Sequence, residues 1–166
     1  TCGLDTDIIG SLAKYISEIS SMGYEVVVVS SGAVAAGMKK LGLTCKPREI
    51  RLKQAAAAIG QSTLMWAYEK AFAGYERKVA QVLLTREDFS DRKKYINSKN
   101  TIITLLSYGI IPVINENDTV ATDEIKFGDN DNLASLVAIQ VEAERLVILS
   151  DVDGLYNEDP RVNHNA

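Results

Sequence analysis

Histidine and cysteine are scarce in this sequence of 166 residues, which contains one histidine and two cysteines. His164 lies in a polar tail of Asn and Ala, so we do not expect histidine-dependent catalysis within this chain. Cys2 and Cys45 lack the spacing of a metal site or a redox motif. With no secretory signal in view, these features predict two free thiols in a cytoplasmic, reducing environment.

Long apolar runs and an excess of positive charge are also missing. No run approaches the ~20 apolar residues that a membrane helix needs, so membrane insertion is not expected. A net charge of −4 and a pI near 5.1 argue against a general nucleic-acid binder. An apolar content of 46% and a charged content of 24% are typical of a globular protein. Residues 1–166 therefore suit a single domain, or most of one.

Short apolar runs alternate with segments of helical periodicity. Strands are expected at 26–29, 78–84, 110–114 and 145–150, with a short alternating strand at 123–127. Helices are expected at 7–22, 48–73, 91–109 and 131–143. Runs of Val, Ile and Leu without alternation are typical of parallel strands covered on both sides. The pattern predicts an α/β fold, a three-layer α/β/α sandwich with a mainly parallel central sheet.

Local signals refine these helices. Gly23 and Gly109 are expected to end helices, Asp91 is a candidate N-cap, and Gly60 could break the long helix. The alanines at 55–58 are expected to allow close helix packing. Trp66, Tyr68 and Phe72 lie at helical spacing and are expected in the core or at a subunit contact. In helix 7–22, the residues expected to face the core are Ile8, Leu12, Ile16 and Ile19.

Small and polar residues follow the predicted strands. These strand exits are Ser30-Ser31-Gly32-Ala33, Thr85, Asn115-Glu116-Asn117-Asp118 and Ser150-Asp151. In open α/β sheets, ligands bind beyond the carboxyl ends of the strands. Turn formers would explain any one exit, but all of them together favour a ligand site at this edge.

Two loops each allow two interpretations. The loop at 30–37 could present amides and a helix N-terminus to an anion, or it could be a tight strand-to-helix turn. In the loop at 127–131, Asn130 or Asp131 could cap the following helix. One cap explains only one polar residue, and the others could bind an ammonium group, a hydroxyl, or a metal through water.

Several segments together resemble the glutamate 5-kinases, within the amino acid kinase family. They are VVVVSSGAVAAG, KQAAAAIGQ, QVLLT, IPVINENDTV, EIKFGDNDNLASLVA and LVILSDVDGLYNEDPR, in order and at the expected spacing. The resemblance implies ATP-dependent phosphorylation of the side-chain carboxylate of L-glutamate to L-glutamyl 5-phosphate, the first step of proline biosynthesis. It also implies Mg²⁺ with the nucleotide, proline as a feedback inhibitor, and a cytoplasmic homo-oligomer, either a dimer or a tetramer.

The resemblance also implies roles for particular residues. Ser31, Asp118 and Asn130 match glutamate-binding positions, and Ser150 and Asp151 match the start of the nucleotide segment. Asp131 belongs to the same cluster as Asn130 and is the candidate catalytic residue. Gly32 and Ala33 are candidates for backbone contacts.

Phosphoryl transfer requires positive charge on the migrating group. The resemblance implies that this charge comes from one lysine on the first strand of the fold and another in the nucleotide-binding part. We expect both segments to lie outside these 166 residues, and the fragment alone to turn over little ATP. The chain's own candidates are expected on solvated faces; they are Lys53, Lys93, Lys94 and Lys126.

Two alternatives to this function stay open at the level of sequence. One is a kinase of the same family that acts on another carboxylate or a phosphate. The other is a non-catalytic amino-acid-sensing domain that keeps the pocket without the lysines.

Overall fold

The computed structural model describes residues 4–45, 47, 49–120 and 130–150 of the chain. The predicted helices all occur there, with bounds shifted by a few residues. Two further helices lie outside the predicted ranges, one after the first strand and a short one after the second. In chain order the elements are α1 (Thr6–Ser21), β1 (Val28–Val29), α2 (Ala33–Lys40), α3 (Ile50–Ala73), β2 (Lys78–Leu84), α4 (Arg86–Ser90), α5 (Arg92–Ser107), β3 (Ile110–Glu116) and α6 (Asn130–Gln140).

The described strands form a parallel sheet in the order β1-β3-β2. Val113 of the central strand pairs with Val28 of β1 on one side and with Gln81 of β2 on the other. Because the central strand has neighbours on both sides, its residues from Ile111 to Asn115 are all buried. The prediction of a mainly parallel sheet is confirmed.

The sheet is covered by helices on both faces. Successive side chains of a strand point to opposite faces. Accordingly, Ile111 and Val113 pack in one core cluster with α1 and α3, whereas Ile114 packs in a second cluster with α5 and α6. The second cluster includes the fully buried Ile102 and Leu133. The predicted α/β/α sandwich is confirmed.

The buried face of α1 overlaps only partly with the predicted one: Ile16 packs against the first core cluster and Leu12 is half-buried. Ile8 and Ile19, expected in the core, are 59% and 43% exposed. The helix instead buries Ile9, Ala13 and Ser17. Ala13 and Ser17 are small, so this face can approach α3 more closely than the bulkier predicted face could.

Helices α2 and α3 cross in direct backbone contact. A Cβ added to Gly60 would lie 1.7 Å from the Ala33 carbonyl oxygen, and one added to Gly37 would lie 1.7 Å from that of Ala56. Ala56 and Ala57 are buried, which confirms the close packing expected of the alanine run. Gly60 does not break α3; its missing side chain lets the two helices touch.

The strand predictions need two corrections. Only Val28 and Val29 of the 26–29 run pair in the sheet, and the whole run is half-buried. Residues 145–150 form no strand, and Val147 and Leu149 are 75% and 73% exposed. An apolar run becomes a strand only where another strand pairs with it, and none lies beside it within the described ranges. The predicted strand at 123–127 lies outside the described residues.

Helix ends follow the local signals. Asp91 caps α5 by accepting a hydrogen bond from the Lys94 amide at 2.9 Å. Gly23 and Gly109 follow α1 and α5 with φ of 93° and 67°, the left-handed conformation that glycine adopts most easily. Thr85 caps the short α4, and its amide and hydroxyl both donate to the Asp88 carboxylate.

None of the helices in the described part of the chain is long and apolar enough to cross a bilayer.

Candidate functional site at the strand exits

The carboxyl ends of the strands meet at one edge of the sheet. The Ser30 amide, just after β1, donates to the Ile114 carbonyl of β3 at 2.8 Å. The Asn117 amide, just after β3, donates to the Leu84 carbonyl of β2 at 2.8 Å. Parallel pairing therefore brings these strand exits together, as the sequence predicted.

Ser30 is a buried junction at this edge, with only 6% of its surface exposed. Its hydroxyl lies 2.9 Å from the Tyr68 hydroxyl and 3.2 Å from the Ser31 carbonyl oxygen. Its carbonyl accepts a hydrogen bond from the Asn130 side-chain amide at 2.8 Å, across 100 positions of sequence. Ser30 thus joins the β1–α2 loop to the core on one side and to the first residue of α6 on the other.

Tyr68 reaches Ser30 from the buried face of α3. Its ring stacks on Phe72, with centroids 6.4 Å apart and an interplanar angle of 25°. Burial raises the pKa of the Tyr68 phenol above 10.0, and the hydrogen bond with Ser30 opposes part of that rise. The phenol is therefore neutral and protonated at physiological pH, which suits a hydrogen-bond donor and not a base.

A second buried polar contact lies beside the first. The Asn115 side-chain amide on β3 donates to the Gln61 side-chain oxygen at 3.1 Å, and the Asn115 oxygen accepts from the Glu116 amide at 2.8 Å. Asn115 and Gln61 are 2% and 8% exposed. Within the described ranges, the Gln61 Nε2 has no hydrogen-bond partner. Two polar side chains of α3 therefore lie beneath the strand exits.

The β1–α2 loop turns sharply into its helix. Gly32 has φ of 100°, and α2 begins at the next residue. A Cβ at Gly32 would also lie 3.2 Å from the Leu4 side chain. Ser31 is exposed in this turn, next to the amino end of α2. Both the exposed hydroxyl and the amides of this turn suit an anionic group.

The structure brings some of the sequence-predicted site residues into one region. Ser31 directly follows Ser30 in the chain, and the Asn130 side chain donates to the Ser30 carbonyl. Asp118 is half-buried in the turn after β3, and Asp131 is exposed in the first turn of α6. Asn130 is the first residue within α6, and its amide is used on Ser30. These side chains therefore share one edge of the sheet.

Of the two predicted nucleotide residues, only Ser150 belongs to the described part of the chain. Ser150 is exposed at the end of a segment without regular structure, and Asp151 lies outside the described residues. Lys93 and Lys94 are exposed, as expected, whereas Lys53 is half-buried and Lys126 lies outside the described residues. Across the described ranges, no three His, Cys, Asp or Glu side chains come together to hold a metal ion.

Sequence reasoning missed the polar support for the loop. Tyr68 was expected in the core for its ring, and Gln61 was not singled out. A signal was present, because Gln61 and Tyr68 are two helical turns apart and lie on one face of α3 with the apolar Leu64 between them. Polar groups on a buried helix face need partners, so this pattern points to a polar contact with the sheet.

Comparison with known proteins agrees with this architecture. The model of the amino acid kinase family matches residues 2–166. A glutamate 5-kinase of Geobacter sp. (strain M21) is 58% identical over 164 residues, covering 99% of this chain and 44% of that protein. One from Geobacter sulfurreducens is 56% identical over 169 residues, covering 100% of this chain and 45% of that protein. One from Cupriavidus pinatubonensis is 55% identical, with coverage of 99% and 44%. The chain thus spans less than half the length of the curated relatives it matches.

Proposed function

The chain belongs to the amino acid kinase family, and from that premise we propose that the intact protein is a glutamate 5-kinase. In this proposal it transfers the γ-phosphoryl group of ATP to the side-chain carboxylate of L-glutamate. The product is L-glutamyl 5-phosphate, which would enter proline biosynthesis. The matched relatives are named as kinases, and the matches cover nearly the whole of this chain. They do not favour a non-catalytic sensing domain.

The observation that carries this proposal is the hydrogen bond from the Asn130 side chain to the Ser30 carbonyl. It joins the two loops that the sequence resemblance assigns to glutamate binding. A site for a small amino acid needs donors and acceptors from separate loops within a few ångströms of one another. This bond supports such an arrangement for Ser31 and Asn130.

The chemistry of the acceptor suits the residues at this edge. L-glutamate carries an α-ammonium group, for which Asp118 supplies a carboxylate. Its carboxylates need N–H and O–H donors, which Ser31, Asn130 and the amides of the Ser31-Gly32 turn can supply. Gly32 and Ala33 would contribute through their backbone. Asp131, exposed beside Asn130, is the proposed catalytic residue of the cluster.

The transfer itself needs no general base, because the side-chain carboxylate is already an anion at neutral pH. One carboxylate oxygen forms a bond to the γ-phosphorus as the bond from that phosphorus to the β,γ-bridging oxygen breaks. ADP leaves with the electron pair of the broken bond. Such a reaction depends on positioning and on stabilisation of charge, which are the tasks of the strand-exit loops.

ATP and Mg²⁺ are the proposed cofactors. Mg²⁺ would neutralise phosphate charge during the transfer. Among the described residues, no three His, Cys, Asp or Glu side chains come together around such an ion. Ser150 and Asp151 are proposed to begin the nucleotide-binding segment.

The remaining parts of the proposal concern the protein as a whole. We propose that residues 1–166 belong to one amino acid kinase domain, containing the glutamate-binding part and the start of the ATP-binding segment. A cytoplasmic location, a homo-oligomeric state and inhibition by proline at the same pocket are further proposals.

The test is an assay of the intact protein with ATP and a panel of acceptors. We expect glutamate-dependent release of ADP, with the acyl phosphate trapped by hydroxylamine as a hydroxamate. Aspartate and N-acetylglutamate should be poor acceptors. Activity on either of these with none on glutamate would overturn the proposal.

Variants of individual site residues test whether those residues bind glutamate. Asn130→Ala and Asp118→Ala should each raise the KM for glutamate about 10- to 100-fold, because each removes a hydrogen bond to a charged group. Asn100→Ala, an exposed change on α5, is the matched control and should leave KM unchanged. A normal KM for glutamate in both site variants would refute the assignment.

A further inference from the structure

We propose that Tyr68 is a positioning residue for glutamate, acting through Ser30 on the backbone of the β1–α2 loop. The inference rests on the proposed function. It concerns a side chain buried in the core, 4% exposed, that the substrate would not touch.

The Ser30 hydroxyl links the Tyr68 hydroxyl to the backbone of the β1–α2 loop. The Ser30 hydroxyl has one hydrogen, and the Ser31 carbonyl oxygen 3.2 Å away can only accept. When the Ser30 hydroxyl donates to Ser31, its single hydrogen is used, and the Tyr68 hydroxyl is then the donor to Ser30. The result is a directed chain from the Tyr68 hydroxyl through the Ser30 hydroxyl to the Ser31 carbonyl.

Because the peptide bond is planar, holding a carbonyl also fixes the direction of the N–H group in the same peptide plane. Asn130 holds the Ser30 carbonyl, which fixes the plane that also contains the Ser31 N–H. The Ser30 hydroxyl holds the Ser31 carbonyl, which fixes the plane that contains the Gly32 N–H. In a trans peptide the N–H points away from the carbonyl, so both amides are aimed by these two bonds. They are the amides that lead into α2.

The Tyr68 side chain is itself held rigidly. Tyr68 is held by stacking on Phe72 and by the packing of α3 in the first core cluster. The crossing of α2 and α3 at Gly60 and Gly37 places α3 directly against the start of α2. A buried phenol without a partner would be costly, so the hydroxyl is kept on Ser30. Groups that bind a substrate gain precision from support of this kind.

The experiment compares Tyr68→Phe with wild type in the intact protein. This change removes one oxygen and keeps the ring. We expect the KM for glutamate to rise about 3- to 10-fold, as for the loss of one neutral hydrogen bond, and the KM for ATP to stay unchanged. Tyr15→Phe, at an exposed tyrosine of α1, is the matched control and should change neither constant.

A double-mutant cycle separates positioning from general destabilisation. Ser30→Ala removes the acceptor of the same hydrogen bond, so Tyr68→Phe should have no further effect on the KM for glutamate in that background. Effects that multiply instead would show that the two residues act independently, which overturns the inference. If Tyr68→Phe does not fold, Ser30→Ala alone carries the test, and a normal KM for glutamate in it overturns the inference.

The outcomes also distinguish this inference from the proposed function. A wild-type protein that does not phosphorylate glutamate overturns the function and the inference together. A wild-type protein that does so, with a Tyr68→Phe variant that has the same KM for glutamate and only a lower Tm, overturns the inference alone.

Discussion

The polar side chains buried on the two faces of the sheet bond different parts of the fold. On the α1–α3 face, Gln61 and Tyr68 both reach the residues at the ends of β1 and β3. On the α5–α6 face, the Gln140 amide donates to the Tyr95 carbonyl at 3.0 Å and to the Ser98 hydroxyl at 2.8 Å. Gln61 and Gln140 are the same residue type, but the partner of Gln61 lies in the sheet and the partners of Gln140 lie in a neighbouring helix.

This difference shows which layer supports the candidate site. Burying a polar group is costly unless it is hydrogen-bonded, so the group it bonds is held firmly in place. On the α1–α3 face the groups held are strand exits, whereas on the other face the bonds of Gln140 hold two helices together. From the α5–α6 layer, Asn130 at the start of α6 reaches the site through its hydrogen bond to the Ser30 carbonyl.

The largest expected effect comes from the helix crossing on the α1–α3 face. Gly60→Ala should lower the free energy of unfolding by about 3 kcal/mol, because backbone atoms of α2 occupy the space of the new methyl group. Gly10→Ala is the control, since nothing lies within 4 Å of its added Cβ. It should instead raise stability by about 0.4–1 kcal/mol. Urea unfolding followed by circular dichroism measures both, and equal effects would contradict the close crossing.

A smaller effect distinguishes the two glutamines directly. Gln61→Leu leaves the buried Asn115 amide without its acceptor and should cost about 1–3 kcal/mol of stability. It should also raise the KM for glutamate, because Asn115 lies at the end of β3. Gln140→Leu should cost a similar amount of stability and leave that KM unchanged. A change of KM in both variants, or in neither, would remove the functional contrast between the two faces.

The smallest effect is confined to alkaline pH. Since burial raises the pKa of Tyr68 above 10.0, the folded state favours the neutral phenol. Its contribution to stability is therefore fully present below pH 10 and is lost as the pH rises through the higher folded pKa. Unfolding of wild type and Tyr68→Phe between pH 8 and about 12 should show an additional loss in wild type alone. Parallel pH profiles would place the phenol in a less buried setting than the structure does.

Much of the fold could be predicted because its signals are local. The strand at 78–84 was predicted with its observed bounds, and Asp91 and Gly109 acted as the cap and the stop that their chemistry favours. The predicted site residues Ser31 and Asn130 follow the same logic, since strand exits collect ligand-binding loops. Their roles in binding stay predictions.

Other features of the fold depended on contacts between helices or between strands, which sequence periodicity does not reveal. The apolar pattern of α1 was visible, but which of two adjacent stripes faces α3 depends on how closely the helices approach. The run at 145–150 has the composition of a strand, yet it pairs with no other strand in the described part of the chain. Gly60 looked like a helix breaker and is instead a contact point between two helices.

The sequence by itself determined the order and type of most elements, because helical periodicity, apolar runs and capping residues act over a few positions. It also determined that polar residues follow the strands. Only the tertiary structure decided that Asn130 bonds Ser30 across 100 positions, and that Tyr68 lies beneath the same residue. The reason is that each of these bonds requires the sheet and its covering helices to be assembled before the two partners can meet.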